Sequence, residues 1–212
     1  MIAALDTSGP WVCVACGDAS GIRVKLRRDA RSNHNELLPT AFTLALEELA
    51  EEPTALAVNV GPGSFSGTRV GVSFAAGLGQ ALGLSVFPVS AFVVAACLAP
   101  SDLSNVRVSL PLVRGVWGVC DLSKESNSWQ EGAWRELSSE ELSASRRDRS
   151  VICPWGDLAA AQQPPTDWNP AAVIVQLASQ APTGAFEAPS RLSVRYLGKC
   201  QAERNFDAGR LR

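Results

Sequence analysis

A glycine-rich turn between a buried strand and the start of a helix is a place where backbone N–H groups can face a phosphate, with the helix dipole behind them. The string Gly61-Pro62-Gly63-Ser64-Phe65-Ser66-Gly67-Thr68-Arg69 has that setting, because the apolar run 55–60 leads straight into it and a helical pattern follows. It lacks the Lys-Ser/Thr ending of a Walker loop, and its glycines at 61, 63 and 67 miss the dinucleotide-binding spacing. A second turn, Asp6-Thr7-Ser8, closes another apolar run with an acid and two hydroxyls, groups suited to holding a metal-bound phosphate. Asp6, Thr7, Ser8, Gly61, Gly63, Ser64 and Ser66 are therefore the candidate nucleotide- or phosphate-facing residues. Each turn also has a plainer reading, as glycines that let a helix approach a sheet and as a simple turn cap.

Other chemistry is excluded by inventory. Cys13 and Cys16 form a Cys-x-x-Cys. They lie in an alternating strand pattern, which sends residues three apart to opposite faces and argues against a redox or zinc pair. The remaining cysteines, 97, 120, 153 and 200, are scattered, and with no secretory signal they read as reduced thiols. His34 is the single histidine. Hydrolytic zinc sites usually need two or three imidazoles, and no Ser-His-Asp set is present, so protease readings fail. No catalytic residue and no metal site are assigned.

These turns need elements to hold them. Residues 2–6, 11–16 and 22–27 read as an antiparallel meander, the third strand alternating Ile22, Val24 and Leu26 with Arg23, Lys25 and Arg27. Leu38, Phe42, Ala45, Leu46 and Leu49 recur at helical steps over 35–52, with Pro39 tolerable only in the first turn. A strand at 55–60, a helix to about residue 82, a strand at 85–89 and a helix at 91–98 complete a β-β-β-α-β-α-β-α order, a mixed sheet with packed helices. On the second helix, Gly71, Ala75 and Gly79 make a stripe of small residues, serving either an internal contact or a subunit interface.

After Pro100 the pattern loosens. Strands are predicted at 106–112, 116–122, 129–136 and 151–153, a capped helix at 138–147, and a helix at 171–180 after a Pro-rich loop. The tail from Arg191 carries six basic residues against two acidic. Two domains are expected, 1–99 and a reduced, divergent 100–212.

The chain has 212 residues, 46% of them apolar, and a net charge of −2. That balance gives no global electrostatic footprint for nucleic acid, so any RNA contact must be local. The longest apolar run, 91–99, is far short of a membrane span. The N-terminus lacks the basic region of a signal peptide. A cytoplasmic protein with no membrane contact is expected.

Leu5-Asp6-Thr7-Ser8, His34-Asn35-Glu36-Leu37-Leu38-Pro39 and above all the string from Gly61 to Gly71, followed by Val89-Ser90, resemble the bacterial TsaB (YeaZ) family. The matches run in order over residues 1 to about 95. Beyond that the chain departs from the family. The acidic Asp-Ala-Arg-x-x-Glu-Val-Tyr segment is replaced by Leu112-Val113-Arg114-Gly115-Val116-Trp117, and Arg195-Tyr196-Leu197 only loosely follows the usual Tyr-Leu-Arg ending.

The resemblance implies an actin-like/Hsp70-like (ASKHA, ribonuclease H-like) α/β fold, with a mixed sheet, flanking helices and a smaller degenerate second domain of the same type. It implies a non-catalytic subunit of the complex that forms threonylcarbamoyladenosine in tRNA. The partners would be a TsaD-like catalytic subunit and a TsaE-like ATPase, with tRNA reached through the complex and a homodimer as the alternative for the chain alone. No tightly bound cofactor is implied, although ATP or ADP could sit at an interface shared with the partner. The family's heterodimer seam maps onto Glu36, Leu37, Leu38 and Phe42 of the first helix and Arg69, Phe74, Ala75 and Leu78 of the second, and the small-residue stripe adds Gly71 and Gly79 to that candidate interface. The alternative is an active ATP-dependent kinase of the same superfamily. Such kinases usually carry a Gly-Gly adenosine motif in the second half, whereas residues 100–212 hold seven isolated glycines and no pair.

Overall fold

The computed structural model describes residues 1–197 except 31–32, 50, 114, 127, 146–149, 157 and 159–160. Most of the basic tail, together with Arg114 and Cys200, therefore lies outside the described residues.

The meander forms as β1 (Ile2–Asp6), β2 (Trp11–Asp18) and β3 (Gly21–Asp29), followed by α1 (His34–Leu49), β4 (Ala55–Asn59), α2 (Phe65–Leu82), β5 (Val86–Val89) and α3 (Ala91–Ala96). The five strands make one sheet in the order β3-β2-β1-β4-β5. The β1–β2 and β2–β3 pairs are antiparallel, and β1–β4 and β4–β5 are parallel. Pro39 sits in the second turn of α1, on its exposed side, rather than in the first turn as expected.

Alternation sends the two faces of this sheet into separate cores. Leu5, Val12, Val14, Leu56 and Val58 pack beneath α1 and α2, while Ala4, Cys13, Ala15 and Ala57 pack beneath the later helix α5 (Pro170–Gln180). A sheet covered on both faces has nearly continuous apolar strands, the pattern seen at 2–5 and 55–58. The short side chains on the α5 face let that helix lie close to the backbone.

A second sheet begins with β6 (Asn105–Val113), β7 (Val116–Glu125), β8 (Ser128–Glu131) and β9 (Arg135–Ser138); after α4 (Ser139–Ala144), β10 (Val151–Ile152) joins its edge. The strand expected at 129–136 is in fact two. β8 pairs with the end of β7 and β9 with its beginning, and between them the Gly132 amide donates to the Asp121 carbonyl at 2.9 Å. The predicted helix cap holds: Ser138 and Glu141 form a reciprocal capping box on α4.

The expected unit 100–212 does not hold together in space. After the Pro-rich loop the chain returns to the first sheet, where Asn169 caps α5 and its Nδ2 donates to the Leu26 carbonyl at 2.9 Å. Glu187 then bridges to Val86, and the Arg195 amide donates to the Val60 carbonyl at 2.7 Å. The apolar second face of the first sheet, filled by Ile174, Val175 and Ala178, is the physical reason for the return. No helix of the described residues is long and apolar enough to cross a membrane.

Candidate functional site

Because β1 and β4 are parallel neighbours in register, the turns that follow them emerge side by side. Asp6 and Asn59 end the two strands and point at each other: Asn59 Nδ2 donates to Asp6 Oδ2 at 2.6 Å and to Ser8 Oγ at 3.0 Å. Asp6 Oδ1 accepts from the Ser8 amide and the Ser8 hydroxyl, both at 2.8 Å. Asn59 Oδ1 in turn accepts from the Gly61 amide at 2.9 Å. All of these side chains are buried. Burial pushes the Asp6 carboxyl above the ordinary carboxylate value, against the lowering effect of the hydrogen bonds from Asn59 and Ser8 and of nearby His34.

The turns also bond directly to each other. Thr7 Oγ1 donates to the Gly67 carbonyl at 2.7 Å, and the Ser64 amide donates to the Ser8 carbonyl at 2.7 Å. A Cβ on Gly63 would overlap the Ser8 carbonyl oxygen, one on Gly67 the Thr7 carbonyl oxygen, and one on Gly71 the Thr7 hydroxyl. The glycine spacing thus serves turn-to-turn contact, and a phosphate has no room between the two turns. Ser64 caps α2, its Oγ accepting from the Gly67 amide at 3.2 Å, and Ser66 is exposed beside it. His34 is a structural residue here, its Nε2 lying 3.0 Å from the Gly9 carbonyl oxygen.

The chain covers this junction itself. The Trp155 ring lies 3.2 Å from the position of a Cβ on Gly9, and the Arg195 carbonyl lies 2.7 Å from that of a Cβ on Gly61, which has φ +101°. Beyond Arg195, Tyr196 stacks on Phe65 at 5.4 Å and its hydroxyl accepts from Arg69 Nε at 2.5 Å, while the Arg69 guanidinium rests 3.8 Å over Phe65. Glu131 ties the strap to the second sheet, accepting from Ser90 Oγ and from Arg195 Nη1.

The expected seam residues divide. Leu38, Phe42, Gly71, Ala75 and Gly79 face the interior, where Phe42 meets Phe74 edge-on at 5.3 Å and Gly79 lies against Pro189, Leu84 and Val86. The small stripe therefore accommodates this chain's own sheet and strap instead of a partner helix. Leu37, Phe74 and Leu78 are half-buried, Glu36 is exposed, and Arg69 is exposed but engaged by Tyr196. Leu44 on α1 and Leu82 on α2, 45% and 54% exposed, are apolar surface that the sequence reading passed over.

Asn59 and Trp155 were missed as well. Asn59 had a signal, a lone amide closing a wholly apolar strand next to the glycine turn; Trp155 arrives from the far half of the chain and had none. Cys13 and Cys16 sit in the two opposite cores, as the alternation required. Among the described residues no cluster of His, Cys, Asp or Glu is arranged to hold a metal ion.

Residues 27–113, from the last residues of β3 to the end of β6, match the family model described as TsaD: tRNA N6-adenosine threonylcarbamoyltransferase. No curated protein matches the chain. Among solved structures, YeaZ from Pseudomonas aeruginosa superposes with a TM-score of 0.76 at 22% identity, over 92% of this chain and 99% of that one. An uncharacterized protein with similarity to peptidase YEAZ, from Pseudomonas aeruginosa, gives 0.74 at 19% identity, over 93% and 99%. The chain thus has the YeaZ fold along nearly its whole length, and its residues 27–113 are similar to the TsaD family model.

Proposed function

We propose that this protein is a TsaB-type, non-catalytic subunit in the formation of threonylcarbamoyladenosine in tRNA, working in the cytoplasm with a TsaD-like catalytic subunit and a TsaE-like ATPase. The observation that carries this reading is the closure of the Asp6–Asn59–Ser8 network on the glycine turn, within a chain whose residues 27–113 are similar to the TsaD family model. Apart from the exposed Ser66, the side chains that would face a nucleotide are spent on the turns themselves, which suits a protein that supports a catalytic relative and does no chemistry alone. Any ATP or ADP would sit between this chain and its partner, outside the closed turns. The seam would use the outward surface of α1 and α2 around Leu44 and Leu82.

Depletion of the protein, followed by nucleoside analysis of bulk tRNA, tests the role: threonylcarbamoyladenosine should fall. Unchanged modification after thorough depletion, with no paralogue present, overturns it. ATP turnover by the purified chain that disappears in Asp6→Ala would restore the kinase reading.

A further inference from the structure

Away from the turns, a cavity of about 650 Å³ opens where α3, α5 and the β7–β8 hairpin meet. Its wall is largely apolar, with Phe87, Val93, Trp129, Val173 and Leu177 supplied from both sheets and two helices. Small-molecule sites generally take this form, roughly 300–1,000 Å³ of mostly apolar wall with a few placed polar groups. Among the described residues Lys124 is the only charged side chain in the wall, the other polar ones being neutral Ser and Gln. The Lys124 ammonium lies 5.7 Å from the centre of the Trp129 ring, and no carboxylate of the described residues forms a salt bridge with it.

We propose that this cavity binds a small amphiphilic monoanion, an aliphatic carboxylate whose hydrocarbon chain lies against Phe87, Val93 and Leu177 and whose head group pairs with Lys124. A cation on a long apolar stem, held over an aromatic face at the edge of an apolar cavity, offers one charge-assisted contact beside a large area of burial. A nucleotide or other polyphosphate fits poorly, because its several charges would meet a single ammonium and no guanidinium. This site is independent of the proposed role in tRNA modification, since it shares no residue with the closed turns or with the α1–α2 surface.

Calorimetric titration of the full-length chain with sodium octanoate, octan-1-ol and octylamine tests the assignment. Octanoate should bind with one-to-one stoichiometry, octanol about tenfold more weakly, and octylamine most weakly, as the loss of one charge-assisted contact implies. Lys124→Met, which keeps the apolar stem, should reduce octanoate to the affinity of octanol and leave octanol unchanged. Leu177→Trp, which fills the cavity, should abolish binding of all three. The proposal is overturned if the wild type gives no saturable binding of octanoate, if octylamine binds as well as octanoate, or if Lys124→Met leaves octanoate affinity unaltered. The Lys124 comparison decides the matter even if Leu177→Trp fails to fold.

Discussion

Gly63 rests directly on the backbone of Ser8: the place a Cβ would occupy at residue 63 overlaps the Ser8 carbonyl oxygen, which also accepts the Ser64 amide at 2.7 Å. Gly63→Ala must therefore push the two turns apart or shift the start of α2. Overpacking of this kind typically costs about 1–3 kcal/mol. Urea unfolding should show that loss, and a variant as stable as the wild type would mean the turns are not in contact.

Asp6 gives the protein a pH signature. Its carboxyl is held above the ordinary value chiefly by burial, so across the window between the unfolded and native values the native state keeps a proton the unfolded chain has released. The stabilisation is fully present below the unfolded value and is lost as pH rises through the native one. Measured by urea unfolding from about pH 4 to about pH 7, the stability of wild type relative to Asp6→Asn should become less favourable as pH rises. A constant difference would contradict the assignment.

Ala75 and Leu44 separate core from surface on the same pair of helices. Ala75 is fully buried, so Ala75→Trp should lower stability by about 1–3 kcal/mol or more. Leu44, 45% exposed, should tolerate Glu within about 0.5 kcal/mol. If the outward face of α1 and α2 is the seam, Leu44→Glu alone loses capture of a TsaD-like partner at unchanged melting temperature. Retained capture would move the contact elsewhere.

Tyr196 holds the strap over α2 through Phe65 and Arg69. Tyr196→Ala should cost about 0.5–1 kcal/mol, the scale of an exposed cation–π contact. It should also raise amide hydrogen exchange at Arg195, whose amide donates to Val60. Unaltered exchange there would show that the strap is secured without the aromatic contact.

Local signals were legible in the sequence wherever one residue decides a local conformation. Ile22, Val24 and Leu26 alternate as a strand with one wet face, and Ser138 starts the capped helix α4. What stayed hidden is set by contacts distant in sequence. The pattern at 171–180 identifies a helix, but nothing in it says that the helix covers Ala4, Ala15 and Ala57. Gly71, Ala75 and Gly79 were ambiguous for a related reason, since small residues serve a close approach whichever surface approaches. In the candidate site, Asp6, Ser8 and the glycine turn were found because their types announce polar turns. Their mutual engagement was not, because only the parallel pairing of β1 with β4 sets them face to face.

The return of α5 to the first sheet also sets a constraint on biosynthesis. The meander, α1 and α2 can assemble soon after they leave the ribosome, but the face formed by Ala4, Cys13, Ala15 and Ala57 stays bare until the second sheet and then α5 have been translated. During that interval the nascent chain presents an uncovered apolar sheet to the cell, the kind of surface that chaperones bind and that drives aggregation of stalled chains. A chain released early, after α3, would hold the residues of both turns and still lack the helix that covers this face.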